Sequence, residues 1–178
     1  ERANLRMRHL QYFADWADAV ESLLDNVPPP ELHQRAAAEH NNLRAALDWA
    51  FHSAPGDANG LRLVTAVSRI WFEHSHFSEG WEWAARFLPL SKGPQNRPLR
   101  ARLLYRAAAL TDYTYWKSKR EQTIQFHQEA EALARELGEK KTLASVLYFH
   151  AATLLDEKEW ERPIRMLQES VSLCRELP

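Results

Sequence analysis

Cysteine is almost absent from this chain of 178 residues: Cys174 stands alone. Neither a disulfide framework nor a four-thiolate metal site can be built from it. Glycine is scarce, with five in all, and a phosphate-cradling loop needs several close together. No Walker A loop, G-x-S-x-G elbow or H-E-x-x-H pair occurs. No apolar run approaches the roughly 20 residues a membrane span needs. Nor is either sign of charge in excess. Against 24 acidic residues stand 23 basic ones, for a net charge of -1. That balance leaves no electrostatic footprint for nucleic acid or an anionic membrane.

What the chain does have is apolar and aromatic material. Apolar residues make up 45%, with seven Trp, seven Phe and five Tyr, enough to bury a core in one domain or a short array of repeats. The chain opens on "ERANLRMRHL", without an initiator Met or a signal-type apolar core, and closes on "CRELP". The expectation is a piece of a larger, cytoplasmic protein.

Breaks fall at 27–31, 53–60, 90–98, 116–119, 137–141 and 156–160, and four glycines (Gly56, Gly60, Gly93, Gly138) lie in them. Between the breaks apolar residues recur at three- and four-residue spacing, as in Leu103, Leu104, Ala107, Ala108 and Thr111. That is helical period, and two-residue alternation is nowhere sustained. The pattern predicts an all-α chain of about eight helices, near 4–25, 31–53, 60–75, 79–90, 98–115, 119–137, 140–156 and 160–177. Ser118 and Glu121 have capping-box spacing, Pro98 suits a first turn, and Gly138 suits a left-handed helix end.

Internal similarity is the most informative pattern. "EALARELG" at 131–138 aligns with "VSLCRELP" at 171–178 at an offset of 40. "ARLLYRAAAL" at 101–110 aligns with "ASVLYFHAAT" at 144–153 at an offset of 43. A helix pair repeating near 40 residues is the mark of an α-α superhelix, a right-handed solenoid in which neighbouring pairs share a core. The predicted division is an N-terminal helical segment, 1–57, followed by 58–178 as three helix pairs (58–97, 98–139 and 140–178).

Laid on the tetratricopeptide pattern, Leu147 and Ala151 take the large and small positions of a first helix, and Trp160, Leu167 and Ser170 positions of a second. Val64, Ser68, Trp71, Phe77, Gly80, Ala84 and Phe87 fit similarly, whereas Pro163, Arg120 and His127 depart from the pattern. The repeats are degenerate. Glu39, Asn42, Leu43, Arg44, Ala45, Ala46, Leu47 and Trp49, followed by Trp71, Phe77, Glu79, Gly80 and Trp83, make the chain resemble a known region. It is the tetratricopeptide-like array of bacterial STAND-class ATPase regulators (predicted ATPases, LuxR-type). The resemblance implies a sensor or interaction scaffold whose ATPase motor lies outside this chain.

Reactive clusters were weighed against packing. Glu39, His40, Asn41 and Asn42 scatter around a helix, with only Glu39 and Asn42 sharing a face. Glu73, His74 and His76 are the other grouping with metal-ligand types, and the imidazoles suit a helix C-terminus. No catalytic, cofactor-binding or metal-ligating residue is assigned, and no cofactor. Trp71 and Trp83 are expected in the core. The candidate concave binding face comprises Arg69, Phe72, Glu73, Tyr105, Asp112, Tyr113, Trp116, Tyr148 and Asp156, aromatic anchors among charges. The expected role is a non-enzymatic scaffold for protein–protein interaction or effector sensing in a transcriptional regulator. Its partner is a protein, a peptide or other domains of the same chain, with no direct nucleic acid contact and no membrane. The rival readings are a small-molecule pocket controlling an external ATPase, a hydrolase or metal protein, and a self-association module.

Overall fold

A computed structural model describes residues 1–24, 30–115, 118–155 and 159–177. The described residues form nine α-helices and two short 3-10 turns, with no strand. The helices are α1 (Arg2–Leu23), α2 (Pro30–Ala38), α3 (His40–Ser53), α4 (Ala58–Glu73), α5 (Phe77–Phe87), α6 (Arg97–Tyr115), α7 (Arg120–Leu137), α8 (Lys140–Leu154) and α9 (Glu161–Arg175). The all-α class follows from the 3.6-residue period of the sequence. The expected single helix over 31–53 is divided at Glu39, which bonds to Arg35 O on one side and accepts from Leu43 N on the other. The chain divides into two compact units, Glu1–Lys92 and Gly93–Pro178.

In the first unit α4 is central. Nearly every residue from Gly60 to Trp71 is buried, because α1, α3 and α5 each pack on it. A helix apolar over so much of its circumference needs neighbours on several sides. Asp57 caps it, accepting the Asn59 N–H at 2.8 Å. Gly60, which the sequence placed in a break, belongs to its first turn. A Cβ there would lie 3.1 Å from the Ala50 methyl carbon and 3.2 Å from the Phe87 ring, so glycine lets α3 and α5 close on α4. Arg62 reaches Asp15 (2.8 Å) and Asp18 (2.7 Å) on α1.

α4 ends in a Schellman turn built without glycine. His76 N bonds Trp71 O at 2.8 Å and Ser75 N bonds Phe72 O at 3.1 Å, with Ser75 at φ 61°. At the end of α7, Gly138 does the same at φ 68°, with Glu139 N bonding Ala134 O, as its sequence position predicted.

In the second unit α6 packs on α7 and α8 on α9, while α8 also lies against both α6 and α7. That is the neighbour pattern of two stacked helix pairs. Ala134, Leu143, Leu147, Ala151, Leu154 and Met166 form its core cluster, with Ile124, Leu167 and Leu173 at the edge. Pro98 and Pro163 both sit in first turns, where the missing N–H costs nothing. The Ser118–Glu121 capping box does not form. The Ser118 hydroxyl turns back to Tyr115 O, and Lys119 occupies the cap position. A hydroxyl that can satisfy the end of the preceding helix is lost to the next one.

Candidate functional site

The stretch around His40 ties three helices together. His40 and Arg44 lie four residues apart on α3 and both turn to Glu79 in the first turn of α5. Arg44 grips Glu79 with two nitrogens, Nε to Oε1 and Nη2 to Oε2, the latter at 2.7 Å. The two-pronged match of a planar guanidinium to a carboxylate fixes orientation as well as distance. His40 Nε2 sits 3.0 Å from Glu79 Oε2, and the Trp71 indole N–H meets His40 Nδ1 at 3.3 Å. Indole nitrogen only donates, so Nδ1 accepts and Nε2 carries the proton shared with Glu79. Burial pushes the Glu79 carboxyl upward, but Arg44 and His40 outweigh it and hold the group below the usual carboxylate range.

Residues of the motif stretch thus lock α3, α4 and α5 together. Asn42 bonds Glu39 at 2.7 Å, as their shared face predicted. Beside the lock an open groove of about 630 Å³ is lined by Arg44, Asp48, Glu79, Glu82, Trp83 and Arg86, among others. The Arg86 guanidinium lies 4.7 Å over the Trp83 ring, a cation–π contact. The rings of His74 and His76 stack at 6.5 Å, and His76 lies 4.8 Å from His40. Among the described residues no group of three or more His, Cys, Asp or Glu is placed to hold a metal ion.

The sequence-predicted face is distributed over both units. In the first, Arg69 pairs with Glu73 at 2.8 Å and donates to Leu24 O at 3.2 Å, while Phe72 meets Phe77 edge-on. In the second, Tyr105 is only 5% exposed. Its ring stacks on Phe149 of α8 at 6.0 Å and its hydroxyl takes the Arg106 Nε–H at 3.2 Å. Tyr113 and Tyr148 are 65% and 55% exposed. Trp116 and Asp156 lie outside the described residues. Trp71 and Trp83 are buried, as expected, whereas Trp160 is largely exposed.

Asp112 has a different place from an open groove wall. Its carboxylate accepts from Thr153 Oγ1, which also contacts His127 Nε2 at 3.2 Å. His127 stacks on His150 at 5.3 Å with rings 13° apart, and both side chains are fully buried. His150 Nδ1 lies 3.5 Å from Glu131 without hydrogen-bond alignment. The proximity of His150, ahead of Arg135, holds the Glu131 carboxyl low. Burial pushes the His127 pKa below its ordinary value, against the pull of Asp112 and with the help of His150.

Sequence reasoning singled out neither this pair nor a second groove, of about 480 Å³, between α8 and α9. His127 was visible as a departure from the aromatic position of its repeat. Of the α8–α9 groove the candidate face named Tyr148 alone, because Val171 and Cys174 lie on a second helix and that face was drawn from first helices.

Over 152 residues the chain is 29% identical to provisionally named HTH-type transcriptional regulators of Mycobacterium bovis and of two strains of Mycobacterium tuberculosis. The match covers 82% of this chain and 17% of each relative. No protein-family model and no solved structure matches the chain. Among the described residues no helix is long and apolar enough to cross a membrane.

Proposed function

We propose that the chain is a non-enzymatic helical-repeat segment of a transcriptional regulator, of the tetratricopeptide-like kind found in STAND-class proteins. Its task is to bind a protein or peptide, or another domain of its own polypeptide, in the cytoplasm. The observation that carries this reading is the stacking of α6–α7 and α8–α9 as equivalent pairs, related by the offsets in the sequence. Stacked pairs expose long side-chain rows that suit partner recognition. The similarity to regulators over most of the chain supports the setting. Many of its basic side chains, among them Arg44, Arg62, Arg97, Arg100 and Arg135, are engaged by carboxylates, so DNA contact is assigned to no residue here.

A photo-cross-linking amino acid placed at Tyr113 or Tyr148 of the protein in its host tests this. The expected product is an adduct to a second protein or peptide, or an intrachain cross-link to another domain, at one of these positions or both. Adducts to DNA alone, or none at either position, would overturn the reading. A second reading, a small-molecule effector pocket, rests on the mixed-charge groove at Arg44, Glu79 and Trp83. An effector at 100 times its dissociation constant would add roughly 2.7 kcal/mol to the stability of the first unit.

A further inference from the structure

The buried stripe of α7 reads Thr123, His127, Ala130 and Ala134, so half of it is polar. The helix packed on it, α8, buries His150 between Leu147 and Leu154. Helix interfaces of this kind are ordinarily apolar or fully hydrogen-bonded, because an unpaired polar atom out of water is costly. Here Thr123 Oγ1, His127 Nδ1 and both ring nitrogens of His150 have no hydrogen-bond partner among the described residues.

The bonds that do form fix one tautomer. The Thr153 hydroxyl has a single proton, and the Asp112 carboxylate is its strongest acceptor. Thr153 Oγ1 therefore accepts from His127 Nε2, 3.2 Å away. His127 is then neutral, with a bare lone pair on Nδ1. This relay joins three helices: His127 comes from α7, Thr153 from α8 and Asp112 from α6. The stacking of His150 on His127 is a second tie between α8 and α7.

We infer that the relay is a proton-operated joint, in which protonation of His127 moves its Nε2–H from Thr153 to Asp112 and frees α8 to shift on the α6–α7 pair. Asp112 Oδ2 already stands 3.9 Å from His127 Nε2, so a direct charge-assisted bond needs a movement of about 1 Å. The Thr153 hydroxyl keeps an acceptor in the Phe149 carbonyl, 3.0 Å away on its own helix. A bond from α8 to its neighbours is thereby exchanged for one within α6–α7 and one within α8. The other groups facing the imidazoles limit the uptake to one proton. Glu131 of α7 lies 3.5 Å from His150 Nδ1, but Arg135 holds it and also binds Glu169 of α9. Arg120, at the start of α7, donates to Thr153 O at 2.8 Å. Two buried rings 5.3 Å apart repel a second charge. Burial holds His127 below its ordinary value, so the joint is closed at neutral pH and opens as pH falls. The inference does not depend on the scaffold reading.

Hydrogen exchange of the whole chain at pH 7.5 and pH 5, read by mass spectrometry and corrected for the intrinsic rate, tests the joint. Amides of α8 and α9 should exchange about tenfold faster at the lower pH, while those of α4 in the first unit hold. Circular dichroism should stay constant across the range. His127→Gln keeps a donor and cannot titrate, and it should abolish the acceleration. Asp112→Asn keeps an acceptor for Thr153 without the charge, and it should move the midpoint down by about one pH unit. No acceleration, an equal one in α4, or one that persists in His127→Gln would overturn the inference. If His127→Gln does not fold, the Asp112→Asn midpoint decides, and an unmoved midpoint overturns the joint.

Discussion

The imidazole of His150 lies parallel to that of His127, 5.3 Å away, and solvent reaches neither. Asp112 faces the pair from α6, Glu131 from α7 and Thr153 from α8, with Arg135 beside Glu131. The burial that lowers the His127 pKa means the folded state takes up its proton less readily than the unfolded chain. Stability from this group is therefore full above the unfolded value of about 6.5 and falls as pH drops below it. Urea midpoints measured between pH 7.5 and 5 should decline, by at most about 1.4 kcal/mol per pH unit for one proton. His127→Leu should flatten that slope. A slope unchanged in the variant would remove His127 as its source.

The Arg44–Glu79 pair should be measurable as a coupling. One partner is half-exposed but the other is largely shielded, so the pair sits above the ordinary surface ion pair. Arg44→Met and Glu79→Gln should each cost about 1–2 kcal/mol, and the double variant should cost less than their sum by about 1 kcal/mol. The lowered Glu79 pKa gives this contribution a pH signature. It is present above the ordinary carboxylate value and disappears as pH falls through the lower folded one. Additive losses in a chemical-denaturation cycle would show that the two side chains do not cooperate.

Ser75 holds a left-handed conformation at φ 61° that costs a side-chain-bearing residue about 1–2 kcal/mol. Ser75→Gly should raise thermal stability by about 1 kcal/mol while preserving the Schellman bonds to Trp71 and Phe72. A loss of stability would mean the serine side chain supports the turn in some further way.

Gly60 offers the opposite case. The Ala50 methyl carbon and the Phe87 ring already stand within 3.2 Å of where a Cβ would sit. Gly60→Val should lower stability by about 1–3 kcal/mol, because α3 and α5 must part from α4 to admit it. Thermal unfolding indistinguishable from the parent would show that the interface can yield.

The all-α class was legible because helical period needs only apolar spacing, and the stop at Gly138 was legible because its turn requires left-handed backbone. The packing role of Gly60, read as the join of a break and a helix, was hidden for a related reason. A glycine that permits close approach looks, in one dimension, like one that ends a helix. The division at Glu39 was hidden because its flanking hydrogen bonds keep helical spacing. The capping box at Ser118 failed because a competing acceptor, Tyr115 O, lies on the preceding helix. His40 and Arg44 had been separated from reactive chemistry by their positions, but that they share Glu79 depends on a partner 35 residues or more away. Tyr105 and Tyr148 show the same limit: equivalent in sequence, they differ tenfold or more in exposure, and the Phe149 ring that stacks on Tyr105 comes from a different helix, α8.

The lock on Glu79 also imposes an order on synthesis. Arg44 leaves the ribosome 35 residues before its partner, and at 5–20 residues per second that interval is roughly 2–7 s. Throughout it the Arg44 guanidinium lacks the carboxylate that grips it in the folded unit. A pause in translation between α4 and α5 would lengthen the interval in which α3 lacks the tie that Glu79 makes to Arg44 and His40.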